Sequence, residues 1–253
     1  MDIANLSRVG DDVVRDIAER SLVSAESFLV WLDDAENAVR ADAARKNLEE
    51  HPNWQYMRPG WEKEATGETD THACTVCKRV IANQRLPPYI IEAIAGYDLL
   101  VYIDGMWTNG PPMGFALTLA HELRHVWQYF NAPLVFHSQT PLSWVVPPEL
   151  TPCELDAEKS AKQVLGQLYG NAGVSTYLDG ERASCKPEQR EFMQRLVALD
   201  TAPDPEREAK TIALLEEHAA EIRKFQIEYK FTIPGLPELC EALRGRSDVR
   251  LKP

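Results

Sequence analysis

The sequence is poor in everything a membrane or secreted protein needs. No stretch approaches the roughly 18–20 consecutive apolar residues of a membrane span. The opening, MDIANLSRVGDDVVRDIAERS, carries acids where a secretory signal has a basic end and an apolar run. A cytoplasmic location is therefore expected, although a signal-independent secretion route would leave no mark. Positive charge is also short, with 27 Lys and Arg against 39 Asp and Glu, a formal net charge of −12. That balance argues against a broad nucleic-acid footprint or an anionic membrane surface, so neither partner is expected. Oligomeric state is not legible. Five cysteines, an odd and sparse set in 253 residues, do not make a disulfide framework. Cys74 and Cys77 form CTVC, half of a structural zinc site or a redox pair, but no second CxxC follows. His72, Cys153 or Cys185 would have to complete such a site through the fold. Simple thiols are the expectation.

What the chain does contain is a globular composition, 44% hydrophobic with 8% aromatics, and enough length to bury one sizeable core. No internal repeat or low-complexity tract interrupts it. The pattern predicts a predominantly helical α+β protein, one compact domain with a helical flank over 1–70, a core over 71–175 and a second helical flank over 176–253. Apolar residues at mixed three and four spacing, among them Val14, Ile17, Leu22, Phe28, Leu29 and Leu32, predict helix within 11–50. Residues 51–73, rich in Pro, Gly and Thr, read as a long loop. DLLVYIDG, residues 98–105, reads as a strand closing in a turn. NGPP at 109–112 marks a helix start, and NAP at 131–133 a stop after about Phe130. A proline-rich connection is expected over 133–150, then helices over roughly 152–169, 187–199 and 204–229.

The chemistry lies in ALTLAHELRHVWQYF, residues 116–130. His121 and His125 are four apart, so on a helix both imidazoles project from one face, one turn apart. Two nitrogens so placed can reach one ion at about 2.0–2.1 Å. Glu122 lies about 100° further round, where its carboxylate meets a water on that ion rather than the ion itself. The pattern is HExxH: zinc lowers the pKa of its water toward about 7, and Glu122 takes the proton. Leu117, Leu119, Ala120, Leu123 and Val126 surround these residues, predicting a buried helix in which two histidines and a glutamate are costly without a partner.

A catalytic zinc wants three protein ligands and one open position. TPCELDAEKSAKQVL, residues 151–165, supplies the third candidate. Glu154, on a second helix, is the first choice. Glu154 and Glu158 share a face, and one could bind while the other, or Asp156, orients a histidine. A local alternative makes Thr151-Pro152-Cys153-Glu154 a capping box, turning Glu154 back to the Thr151 amide and leaving Glu158 as the ligand.

His121-Glu122-Leu123-Arg124-His125 followed by Glu154-Leu155-Asp156-Ala157 resembles the gluzincin group of zinc metallopeptidases. The shorter spacing is similar to the small bacterial and phage metallopeptidases of the ImmA/IrrE kind and related metallopeptidases. The resemblance spans about residues 98–165. It implies a zincin-like core with a small β-sheet on the HExxH helix. It also implies a zinc ion on His121, His125 and Glu154, Glu122 as general base, and a protein or peptide substrate. A zincin-fold binding module that keeps the metal without turnover is the alternative. Ser160 before Ala161 departs from the family pattern, which usually has phenylalanine there. Tyr129, His137, Tyr169 and Tyr177 are the candidates for an oxyanion donor. If the strand at 98–104 is an edge, it can pair with an extended substrate; a buried central position is the other option.

Overall fold

The computed structural model describes residues 1–33, 73–77, 92, 94–185, 190–202 and 204–229. Two compact units divide the chain, Met1–Val126 and Trp127–Pro253.

The first unit is built on a mixed sheet of order β1-β2-β4-β3. Its strands are β1 (Asp2–Asn5), β2 (Leu29–Leu32), β3 (Ala73–Cys77) and β4 (Leu99–Ile103). β1, β2 and β4 run parallel, and β3 is antiparallel to β4, with Thr75 opposite Val101. β4 reads LLVYI because it is covered on both faces: Leu99, Leu100, Val101 and Ile103 are fully buried. The strand expected at 98–105 is thus present and interior. β2 and β3 use its two backbone edges, which removes the option of pairing it with a substrate.

Between β1 and β2 lies α1 (Asp11–Arg20). The helical expectation for 11–50 holds there and fails at 29–32, which is a strand. Phe28 to Leu32 is a contiguous apolar run, and such a run satisfies a helical stripe and a buried strand equally. Residues 34–50 and, Ala73 apart, the loop expected over 51–73 lie outside the described residues; Ala73 opens β3.

α1 ends in a Schellman arrangement: the Val23 amide donates to the Ala18 carbonyl and the Leu22 amide to that of Glu19. The motif needs a left-handed residue, and Leu22 fills it at φ 63° with its side chain 71% exposed.

After β4 come a single turn, α2 (Gly105–Thr108), and the long helix α3 (Pro112–Asn131). α3 starts at the proline of NGPP and stops at NAP as the sequence predicts. The expected connection over 133–150 is instead largely helical, α4 (Pro133–Leu142), because Pro133 sits at the first position, where its missing amide costs nothing. α5 (Pro152–Tyr169) follows the prediction. α6 (Asn171–Ser184) has no counterpart among the sequence-based expectations. Its two glycines, serines and threonine hide it by propensity, while Val174 and Leu178, one turn apart and buried, secure it by packing. The helix predicted at 187–199 is α7 (Arg190–Ala198). The single helix expected over 204–229 is two, α8 (Arg207–Glu217) and α9 (Ala219–Tyr229), parted at His218.

The second unit packs Leu134 and Leu142 of α4 with Leu215 of α8 and Ile222 of α9. Lys162 of α5 donates to the carbonyls of Leu196, Val197 and Leu199 at 3.1, 2.7 and 2.8 Å, satisfying the open end of α7 with a cation. Burial pushes the Lys162 pKa down, and Asp200 opposes the shift. Among the described residues, no helix is long and apolar enough to cross a membrane.

The α1 terminus gives a stability prediction. Replacing Leu22 by glycine relieves the left-handed strain at the expense of some backbone entropy, and removes no buried contact. Leu22→Gly should raise unfolding stability by about 0.5–1 kcal/mol, read as a higher urea midpoint at unchanged m. A lower midpoint would mean that the leucine side chain stabilises the turn.

Candidate metal centre

The middle of α3 is largely buried. Leu119, Ala120, Leu123 and Val126 are fully buried, and Glu122 and His125 are 7% and 8% exposed; His121 and Leu117 are half-buried. The helical offset of four does what the spacing predicts. His121 Nε2 and His125 Nε2 lie 3.1 Å apart, with the rings at 82° to one another.

A proton shared between two imidazoles accounts for that distance, and so does a shared cation. A tetrahedral zinc at 2.0–2.1 Å from its ligands holds neighbouring donors about 3.3 Å apart, close to the separation present. The carboxylate of Glu154 favours the cation. Ligand atoms of His121, His125 and Glu154 all lie within 4.8 Å of one another. Two neutral nitrogens and one anionic oxygen are a donor set suited to zinc, so the residues fit the ion.

Glu122 is held from the sheet. The Thr75 hydroxyl lies 2.8 Å from Glu122 Oε2 and 2.9 Å from the Glu122 carbonyl oxygen. It has one hydrogen, so it donates to one of the two at a time. Thr75 can reach α3 because strand alternation sets it opposite Cys74 and Val76, which pack with Leu29, Ile94 and Leu100 on the other face.

Glu154 occupies the first turn of α5. Thr151 caps that helix, its hydroxyl accepting from the Glu154 amide at 3.4 Å. Only this half of the alternative capping box forms: the Thr151 amide donates to the Pro148 carbonyl at 3.0 Å. The Glu154 carboxylate instead takes a hydrogen bond from Gln139 Nε2 at 3.0 Å. Glu158, the alternative ligand, is 3% exposed and ion-paired with Arg195 at 2.9 Å. Asp156 accepts from Gln128 Nε2 at 2.9 Å and meets Arg207 at 3.4 Å.

Two residues that matter here escape sequence reasoning. Gln128 is fully buried; its amide donates to the Cys153 carbonyl and Asp156, and its oxygen accepts from Cys153 Sγ at 3.1 Å. The signal available is an amide among apolar residues three positions after His125. Gln139 lies in a segment whose prolines suggest a connection, which hides it. Arg207, whose guanidinium lies 4.9 Å over the Trp127 ring, completes the surroundings of Asp156.

Of the oxyanion candidates, Tyr129 and His137 form part of an aromatic cluster with Phe130 and Phe136. Burial, reinforced by Glu181, pushes the Tyr177 hydroxyl up to about 12. Tyr169 is 38% exposed.

CTVC lies on β3, and that settles its geometry. An offset of three along a strand turns Cys74 and Cys77 to opposite faces and sets their Cα atoms about 10 Å apart. A disulfide needs roughly 4.4–6.8 Å. The pair therefore makes neither a redox couple nor a shared metal site; Cys74, Cys77, Cys153 and Cys185 form no disulfide among themselves. His72 lies outside the described residues.

Compared with known proteins, the chain matches no family model, no curated protein and no solved structure.

The pairing of Glu158 yields a measurable consequence. Arg195→Met strands a buried carboxylate and should cost about 2–4 kcal/mol in urea unfolding. Adding Glu158→Leu should recover part of that loss. Glu158→Leu alone completes the cycle, and a double-variant cost equal to the sum of the two single costs would show that the two side chains do not couple.

Proposed function

We propose that the chain is a zinc-dependent metallopeptidase that hydrolyses peptide bonds in a protein or peptide substrate in the cytoplasm. The observation that carries the reading is the convergence of His121, His125 and Glu154 within 4.8 Å beside a buried Glu122 held by Thr75. The HExxH and Glu154-Leu155-Asp156-Ala157 motifs, which resemble those of gluzincins, support the same assignment.

In this reading His121, His125 and Glu154 hold the ion. A zinc ion bound there supplies Lewis acidity, making water a usable nucleophile near neutral pH and polarising the scissile carbonyl. Glu122 supplies the general base: its carboxylate takes the proton from the attacking water and returns it to the departing amine nitrogen. The Thr75 hydroxyl, 2.8 Å from Oε2, helps to orient that carboxylate. The apolar residues around Glu122 keep bulk water from competing for it.

Metal quantification comes first, because it requires no substrate. The purified chain should hold one zinc, and stripping it with a chelator should lower the thermal midpoint. His121→Ala should lose the ion. Glu122→Gln should keep it while cleavage of proteins in a cell lysate, counted as new N-termini, falls by about 10²–10⁴-fold. Full zinc occupancy with no difference between wild type and Glu122→Gln would favour a metal-bearing binding module. Failure of the wild type to bind zinc would end the metal reading.

A further inference from the structure

The surroundings of Glu154 carry a further inference, which rests on the metal reading above. Glutamate is a flexible ligand, with three side-chain torsions to fix before it can meet an ion. α5 fixes its backbone but not its carboxylate.

Gln139 fixes the carboxylate. Its Nε2 donates to Glu154 Oε1 at 3.0 Å, leaving Oε2 for another partner. An amide can be placed either way round, and two neighbours decide its orientation. Toward Glu154 it must present its hydrogens, since an ionised carboxylate only accepts. Its oxygen then faces the Thr151 hydroxyl, which lies within hydrogen-bond reach of it. Thr151 is fully buried, and its one hydroxyl hydrogen serves Gln139 Oε1 or the Pro148 carbonyl, 2.8 Å away, one at a time. The relay runs from the loop before α5, through α4, and back to the first turn of α5. A neutral donor is chemically suited to the task. It orients the anion without placing a second positive charge beside the cation, as an arginine or lysine would.

We propose that Gln139, oriented by Thr151, is a positioning residue for Glu154 and sets the affinity of the site for its metal. The test reads metal directly, by competition with a chromophoric zinc chelator and by the visible absorption of the cobalt(II)-substituted protein. Gln139→Met keeps the length of the side chain and removes the donor. It should weaken zinc binding about 10–100-fold and alter the cobalt band, while the metal-free protein unfolds within a few degrees of wild type. Thr151→Val should weaken zinc in the same direction, and Thr151→Ser, which keeps the hydroxyl, should restore it.

Zinc affinity within twofold of wild type in Gln139→Met would overturn the proposal. So would a loss of affinity matched by an equal loss of metal-free stability, since a purely structural tie gives that result. If Gln139→Met does not fold, the contrast between Thr151→Val and Thr151→Ser decides the matter in its place: equal zinc affinities in those two variants would overturn the proposal. His121→Ala separates the two levels of inference. Zinc bound by wild type and lost in His121→Ala establishes the site whatever Gln139 does; zinc absent from wild type removes both.

Discussion

Everything at this site follows from two imidazole nitrogens 3.1 Å apart on one buried face of a helix. Each Nε2 can point a lone pair or a hydrogen at the space between them. Two lone pairs repel and two hydrogens clash, so the arrangement needs one proton or one cation in that space. A proton can bridge only two of the three donor groups. Glu154, brought to the same space from another helix, changes the balance. A centre that satisfies two nitrogens and an anionic oxygen together is positive and can accept three donors.

The acids of α5 show how the chain distributes charge around that point. Glu158 is paired with Arg195, and Asp156 is met by Arg207 as well as the Gln128 amide. Both take part in ordinary structural neutralisation, in which guanidinium and carboxylate shed much of the cost of burial. Glu154 accepts from an amide and faces the two histidines. Three acids within five residues of one helix thus have distinct chemical partners. Helical geometry turns Asp156 about 200° away from the other two, whereas Glu154 and Glu158 share a face and differ by one turn along the axis, which sets them beside different neighbours.

The site was far more legible in the sequence than the fold around it. HExxH spacing is a local property: once the segment is helical, a separation of four residues fixes the relation of His121 to His125. Helix boundaries at Pro112, Asn131, Pro152 and Tyr169 were legible for the same reason, because proline and capping residues act within one turn. Tertiary context governed the failures. Leu29–Leu32 is a strand because β1 and β4 stand ready to pair with it, and no short-range spacing encodes that. α6 forms despite poor propensity because Val174 and Leu178 find cover. The sequence puts Glu154 before Glu158 as a candidate ligand, but it does not show the pairing of Glu158 with Arg195, from a helix some 40 residues further along.

The CTVC pair shows why a motif needs its secondary structure before it has a meaning. On a helix or in a tight loop, an offset of three brings two thiols to one side. On β3 the same offset sends them to opposite faces, Cys74 into the cluster with Leu29 and Leu100, Cys77 to the face that carries Thr75. The strand thereby gives up a cysteine site and gains a hydroxyl aimed at Glu122, because the alternation that parts the two thiols is what turns Thr75 toward α3. HExxH passes the same test in the opposite sense: its offset of four is productive only on a helix, and a helix is what the apolar residues around it make.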